Sequence, residues 1–345
     1  MNKKVTTYDI SNELGISRNT VSKALNNHAS ISEETRKKVI EQAIAMGYNK
    51  IIPGSSERPA ISRSTKCIAF LTRIDVSASG YWMNLMSGVE DVLRGSGYDM
   101  KMSFIKDEDI ISLMVPPMLN STIDGFIVVG MVNKAYTEKL LEHSLPKVFI
   151  DLNAELPLTD LKTDLVLMES EESVYQITRH LIESGHREIG FIGDINSRSL
   201  FERWMGYSRA LHESSIPQNP NYCITSTHST SYQSFEGMAD TLGALDQLPT
   251  ALICGNDLMA LHAIRFVKEN GMRVPEDIAI SGFDQMKETK LLDISLTTVT
   301  NDEFQLGMRA AEELLYRMQR PNRPFEVIRL STKVCFGEST RTTRA

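Results

Sequence analysis

Asn19, Ser22, Lys23 and Asn26 are spaced so that a helix would bring them to one side, and none of them is acidic. The chemistry such a row offers is hydrogen bonding to base edges. An asparagine amide bonds adenine in two places, and a lysine ammonium donates to guanine O6 and N7 in a major groove. Around the row stand groups suited to phosphate: Ser17, Thr20 and Thr35 put hydroxyls close to expected helix starts, and Arg18 adds a charge. Those contacts would fix register on a duplex without reading its sequence. The same polar side also suits a three-helix bundle with a wet face and no partner, and spacing alone leaves both open.

Three short helices are needed to hold that row. Thr6 with Asp9 makes a capping box with Asp in place of the usual Glu, and Val5 with Ile10 has the spacing of a hydrophobic staple, so a helix starts here. Ile10 and Leu14 line its apolar side, and Gly15 supplies the turn. Ser17 caps a second helix whose Val21, Ala24 and Leu25 face inward. Ser32 caps a third, with Glu33 and Glu34 at the positive end of its dipole and Val39, Ile40, Ala43 and Ile44 as a stripe ending at Gly47. Two helices joined by a glycine-containing turn, with a third to close a small core, describe a helix-turn-helix unit that enters a groove by the N-terminus of its second helix.

The charge distribution supports a contact at one end only. Although the net charge of the 345 residues is −7, residues 1–66 carry 11 Lys or Arg against 6 Asp or Glu, leaving 26 against 38 in the rest. A basic head on an acidic body suits a protein that touches phosphate with the head. The length calls for two or three domains. Cys67, Cys223, Cys254 and Cys335 are too scattered for a metal cluster or a disulfide framework, so reduced thiols in a cytoplasmic protein are expected, with no metal and no cofactor. The first residues lack the apolar region of a signal peptide, and no apolar run reaches membrane-spanning length, so neither export nor a membrane partner is expected.

The run T-T-Y-D-I-S-N-E-L-G-I-S-R-N-T-V-S-K-A-L-N, Thr6 to Asn26, followed by I-S-E-E-T-R-K-K-V, closely resembles the DNA-binding head of the lactose and galactose repressor family. The resemblance implies that Arg18, Asn19 and Lys23 read bases, while Thr6, Tyr8, Ser17, Thr20, Asn26 and Thr35 hold the DNA backbone. Lys23 stands where the family usually has Arg, and a point-charge donor without the rigid fork implies a looser guanine preference there. Residues 1–48 then form the head and 49–66 a hinge. Family hinges form a short helix that wedges an apolar residue into the minor groove. Pro53, Gly54 and Pro59 depart from that pattern; Ile51, Ile52 or Ile61 could serve as the wedge, and a plain linker is the other reading.

From Cys67 onward, continuous apolar runs at 67–71, 125–129, 147–151, 188–193, 251–254 and 278–283 alternate with helical patterns near 82–95, 134–143, 171–184, 203–214, 233–246, 257–270 and 303–319. That is the rhythm of doubly wound parallel sheets. Ligands in such folds bind beyond the carboxyl ends of strands, which gives weight to Asp151, Asp194, Asn256 with Asp257, and Asp284. The segments H-L-I-E-S-G-H-R-E-I-G-F-I-G, R-W-M-G-Y, C-G-N-D-L-M-A-L, I-S-G-F-D and S-L-T-T-V extend the family resemblance over nearly the whole body. It implies a small all-α head plus an α/β two-lobed body of the type I periplasmic-binding-protein kind at 67–340. One lobe is expected at about 67–165 and 297–325, the other at about 166–296 and 326–340. Carried over by position, Arg203, Asn256 and Asp284 match residues that hydrogen-bond effector in relatives, with Asp151 near the cleft. Trp82 or Phe201 could stack on a sugar ring. Asp257 and Asp284 could instead cap the helices after them, and His180 and His186 carry no assigned chemistry.

Taken together, the sequence reads as a ligand-responsive, sequence-specific DNA-binding regulator, expected to repress carbohydrate-utilisation genes. A homodimer on a pseudo-palindromic double-stranded operator, with a sugar or sugar derivative as effector, is the expected assembly. An enzyme is disfavoured because no Gly-rich phosphate loop, H-E-x-x-H or G-x-S-x-G occurs, and a transport binding protein is disfavoured by the head.

Overall fold

The computed structural model describes residues 5–25, 30–46, 65–73, 80–120, 122–130, 133–225 and 234–341. Chain contacts divide it into two units, Met1–Ser64 and Thr65–Ala345. In the first, α1 (Thr7–Leu14), α2 (Arg18–Leu25) and α3 (Glu33–Ala45) close over Ile10, Val21, Ala24, Leu25, Val39 and Ala43, each at most 4% exposed. The expected local signals operate. Asp9 and Thr6 form the reciprocal box, with the Thr6 amide donating to Asp9 Oδ2 at 2.7 Å, and Gly15 turns the chain at φ 66.

The second unit runs β1 (Cys67–Thr72), α4 (Gly80–Gly95), β2 (Asp99–Phe104), α5 (Asp107–Ser112), β3 (Gly125–Val129), α6 (Lys134–Leu141), β4 (Lys147–Ile150), β5 (Asp164–Met168), α7 (Glu171–Glu183), β6 (Ile189–Ile192) and α8 (Arg198–Glu213). It continues through β7 (Cys223–Ile224), α9 (Phe235–Gly243), β8 (Ala251–Cys254), α10 (Asp257–Glu269), β9 (Ala279–Ser281), β10 (Thr298–Thr300), α11 (Glu303–Gln319), β11 (Val327–Leu330) and β12 (Lys333–Cys335). Two parallel sheets result, ordered β11-β5-β4-β3-β1-β2 and β7-β6-β8-β9. Both faces of each are covered, which is why their central strands read as unbroken apolar runs. In the first lobe, Ile68, Phe70, Ile127 and Val148 pack on α4 and α11, while Ala69, Phe126, Val128 and Phe149 face α6.

The approach of α4 to α11 is set by two glycines. A Cβ on Gly88 would lie 2.0 Å from the Phe304 carbonyl oxygen, and one on Gly307 2.0 Å from that of Leu85. No other residue permits this approach, which brings the first turns of the two helices side by side and lets the Asn84 amide donate to Glu303 at 3.0 Å.

Three chain crossings join the lobes, after β5, between β10 and α11, and between β11 and β12. Each falls about four or five residues later than the sequence suggests. β5 and β11 pair with each other in the first sheet, while Thr297 bridges to Ser281 in the second, so 297–300 and 326–330 belong to the lobes opposite to those expected. A crossing is plain extended chain without a local chemical signature, so its position is decided by which sheet accepts the strand's hydrogen bonds.

Among the described residues, six strands, β2, β5, β7, β10, β11 and β12, escape the apolar-run criterion. β2 is a sheet edge whose side chains are largely exposed, and β5 opens on the buried Asp164. Arg317, near the end of α11, donates to both oxygens of Asp164 at 2.7 and 2.8 Å and so anchors that helix to the sheet.

Candidate DNA-reading face and effector cleft

Burial of Val21, Ala24 and Leu25 forces the remaining side of α2 outward. Arg18 and Asn19 are exposed there and Lys23 is half-exposed. The Ser17 hydroxyl accepts the Thr20 amide at 3.0 Å and meets the Thr20 hydroxyl at 2.8 Å, so the helix start is capped with both hydroxyls at its N-terminal end. Ser32 and Thr35 repeat the arrangement at α3, with hydroxyls 2.8 Å apart. Tyr8 stands 59% exposed on α1, and Thr6 caps that helix from an exposed position. The Arg18 Nε donates to Thr7 at 3.2 Å, which ties the guanidinium back to the first helix. Thus Thr6, Tyr8, Ser17, Arg18, Asn19, Thr20, Lys23 and Thr35 are all reachable from solvent; Asn26 and the hinge residues 49–64 lie outside the described residues.

In the second unit the wall of the cleft is built on α8 and the loops after β8 and β9. Arg203 lies in the middle of α8, because the helix starts at 198 under a Ser197 cap, five residues earlier than the pattern suggests. The residue is 7% exposed and its guanidinium stacks on the Phe283 ring, 3.5 Å from the centroid. Nη1 donates to the Gly255 carbonyl, Nη2 stands 3.6 Å from Asp284 Oδ1, and Nε has no partner among the described residues. Asp284 adopts φ 104, a left-handed conformation rare outside glycine, and accepts from the Asn301 amide at 3.0 Å. Burial pushes its carboxyl up to about 6, against the opposing pull of Arg203 and Asn301.

Neither aspartate is a helix cap. Asn256 caps α10 by accepting the Met259 amide at 2.9 Å. Its side-chain oxygen is thereby engaged. Asp257 is buried behind it, accepting from the Thr298 hydroxyl at 2.6 Å and the Met286 amide at 2.7 Å, so it braces the Asp284 loop. Burial raises its carboxyl to about 7, opposed by the Thr298 bond and reinforced by the charge of Asp284.

The first lobe faces this wall with α4 and the end of β4. Tyr81, which the sequence reading passed over, sits close enough to the wall that Asp284, Glu303 and Asp151 add to the upward push of burial on its phenol, while Arg203 opposes them. Trp82 is half-buried against the lobe's core with its ring edge-on to Tyr81, centroids 4.8 Å apart. Asp151, at φ 64, is occupied: its oxygens accept from the Leu152 and Ser199 amides at 2.8 and 3.1 Å and from the Ser197 hydroxyl at 2.6 Å. It clasps the lobes together at one side. Arg198 strengthens the clasp by donating to the Leu156 carbonyl at 2.6 Å, and Phe201 lies beside it, 5.8 Å from the Arg198 guanidinium. The cleft therefore gathers Arg203, Asn256, Asp284 and the neighbourhood of Trp82, whereas Asp151 and Phe201 belong to its closing edge. Tyr81 and Asn301 are additions; Asn301 carries no sequence signal beyond following S-L-T-T-V-T.

Residues 6–50 match the family described as "Bacterial regulatory proteins, lacI family", and residues 178–340 match the "Periplasmic binding protein-like domain". The HTH-type transcriptional repressor PurR of Aliivibrio salmonicida is 30% identical over 96% of this chain and 97% of its own. The ribose operon repressor of Haemophilus influenzae is 28% identical, over 96% of this chain and 97% of its own; catabolite control protein A of Priestia megaterium is also 28% identical, over 98% and 99%. Among solved structures, a transcriptional regulator CelR–cellobiose complex superposes with a TM-score of 0.70 at 23% identity, covering 97% of this chain and 100% of that one. The lac repressor dimer bound to operator gives 0.65 at 21%, covering 98% and 99%; at such identities these two establish the shared fold alone. End-to-end similarity to a transcriptional repressor, with an exposed reading helix in one unit and a polar cleft in the other, makes this chain a member of the lactose-repressor family of bacterial transcriptional regulators.

Proposed function

We propose that the protein is a cytoplasmic homodimeric repressor of carbohydrate-utilisation genes that binds a pseudo-palindromic operator and changes its affinity when a sugar-like metabolite fills the cleft. The observation that carries the effector class is the Arg203–Asp284 pair. At 3.6 Å the Arg203 Nη2 and the Asp284 carboxylate oxygen are too far apart for a hydrogen bond. A ligand hydroxyl both donates and accepts, so it satisfies the carboxylate and the guanidinium at once, while Tyr81 and Trp82 offer aromatic surface to a sugar ring. Among structural neighbours, one regulator was crystallised with cellobiose and another, from Enterococcus faecium, with ribose.

On the DNA side, Arg18, Asn19 and Lys23 read bases while Thr6, Tyr8, Ser17, Thr20, Asn26 and Thr35 hold phosphates. Dimerisation is supported by the open edge of the first sheet: Met102 and Phe104 on β2 are 39% and 49% exposed, and Ile111 and Met114 just beyond are 84% and 59%. An apolar surface beside an unpaired strand edge is unfavourable in water, and a second copy would cover it. Ligand acts by binding one lobe arrangement better than another.

The test is a thermal-shift panel of sugars, sugar phosphates and nucleobases on the full chain, followed by operator selection from random duplexes with each hit. A sugar that raises the melting temperature and alters retention of a two-fold symmetric site is the expected result. Should only nucleobases shift the transition, the sugar assignment falls; should no duplex be preferred over random competitor, the operator assignment falls.

A further inference from the structure

We infer that Asp257, which is fully buried and out of reach of a ligand, is a positioning residue for effector recognition, a role that rests on the cleft being the effector site proposed above. Its carboxylate ties the bend that carries Asp284 to β10, the strand leading into the second lobe crossing, so that effector affinity is set from the crossing as well as from the cleft wall.

The bend needs to be held. Asp284 and Gln285 follow one another at φ 104 and φ 48, left-handed conformations that are costly for residues with a side chain and persist only where the surroundings impose them. Four amides of the bend find acceptors. Gly282 donates to the Thr297 carbonyl at 2.9 Å, Asp284 to the Val299 carbonyl at 3.1 Å, Gln285 to the Thr298 hydroxyl at 3.2 Å and Met286 to Asp257 Oδ2 at 2.7 Å. The first three acceptors lie on 297–299, and Asp257 supplies the fourth.

Asp257 also reaches the strand itself. Its Oδ1 accepts from the Thr298 hydroxyl at 2.6 Å, and its own amide donates to the Phe283 carbonyl at 2.8 Å, so one residue grips bend and strand together. Gly282 shows how closely the bend is seated: a Cβ there would lie 2.2 Å from Asp257 Oδ1. β10 pairs in turn with β12, Val299 opposite Val334, which makes the strands bordering the second and third crossings one ribbon behind the bend. A buried carboxylate is an expensive way to fill space, and an apolar side chain would serve packing alone better. What the carboxylate adds is two directed acceptors, and loss of either contact leaves a buried amide or hydroxyl unpaired. The Asp284 carboxylate rides on this bend. A bend that drifts carries it away from Arg203, whose guanidinium is held from α8 by the Gly255 carbonyl, and the effector loses the pair it is proposed to bridge.

The test uses the full chain and two measurements. Hydrogen exchange without added sugar reads the seating of 282–286, and calorimetry well below the melting transition reads binding of glucose, ribose and glucose 6-phosphate. Thr298→Val keeps the shape and removes the hydroxyl; Thr298→Ser restores the hydroxyl; Asp257→Ala removes the whole tie. Thr298→Val and Asp257→Ala should each speed exchange across 282–286 by about tenfold, leave α7 and α11 unchanged, and weaken any sugar that binds the unaltered chain by about tenfold. Thr298→Ser should stay within about twofold on both measurements. Should Asp257→Ala fail to fold, Thr298→Val with its serine rescue decides. Unchanged exchange at 282–286, unchanged affinity in Thr298→Val, or a serine variant as impaired as the valine one overturns the assignment. Arg203→Ala run in parallel separates the two levels: affinity lost there but kept in Thr298→Val removes Asp257 alone, whereas affinity kept in both removes the cleft reading. If none of the three sugars binds the unaltered chain, the sugar reading falls and the exchange result alone decides whether Asp257 holds the bend.

Discussion

The head and the body use polar residues in opposite ways. In the head, Arg18, Asn19 and Lys23 sit within two turns of one helix, turned to solvent by the burial of Val21, Ala24 and Leu25. In the body, Arg203, Asn256, Asp284 and Asn301 arrive from α8, two loops and a chain crossing, and Arg203 and Asn301 are less than a tenth exposed. A duplex brings its own regular array of donors and acceptors, so one helix face suffices to read it. A small ligand brings little surface, and recognising it requires enclosure and desolvated groups held ready by neighbours. The enclosure shows in the ionisable groups of the body, where burial shifts Asp284 and Asp257 far upward.

The sharpest break of this comparison is Arg203→Ala. It strands the Asp284 carboxylate and removes the proposed donor to the ligand, so effector affinity should fall by about 100-fold or more, while operator affinity without effector stays within about twofold. Parallel calorimetry and electrophoretic shift measure both; a variant that still responds to effector removes Arg203 from the site. Next is Lys23→Ala, expected to cost about 1 to 3 kcal/mol at one base pair of each half-site and to leave the effector constant unchanged. Selection from random duplexes checks it, and an unaltered footprint removes Lys23 from base reading.

A pH effect of about tenfold should separate the regions further. Because burial pushes the Asp284 carboxyl up to about 6 and the proposed ligand would donate hydroxyls to its charged form, effector binding should be weak below that pH and strengthen as pH rises through it. The same elevation means that the group's contribution to folding is greatest below pH 4 and is lost as pH rises through 6. Titration calorimetry from pH 5 to 8 reads the first effect, and Asp284→Asn should flatten it. The smallest effect is Ser17→Ala, which removes the α2 cap at about 1 kcal/mol and should weaken all duplexes alike without changing their ranking.

How legible each region is follows from how it is built. Capping at Thr6, Ser17 and Ser32 and the turn at Gly15 are interactions over three or four residues, so the helix boundaries and the outward row could be inferred from the chain alone. The buried strands β1, β3 and β8 were equally plain as apolar runs, whereas β2 was not, because as an edge strand it keeps Asp99, Lys101 and Met102 in water. Asp151 illustrates the limit in the cleft. A carboxylate after a strand satisfies the positional rule for a ligand residue, but its oxygens are taken by Ser197 and Ser199 from the other lobe.

The sequence by itself determined the head, the rhythm of the body and the family, because those depend on local spacing and on runs long enough to be recognised. Only the tertiary structure decided where the chain crosses between lobes, that Asn256 and not Asp257 caps α10, that Asp151 closes the cleft rather than lining it, and that Tyr81 and Asn301 join it. Each of these turns on which partner reaches a polar atom first, and that is set by the packing of distant elements, such as the glycine-permitted approach of α4 to α11.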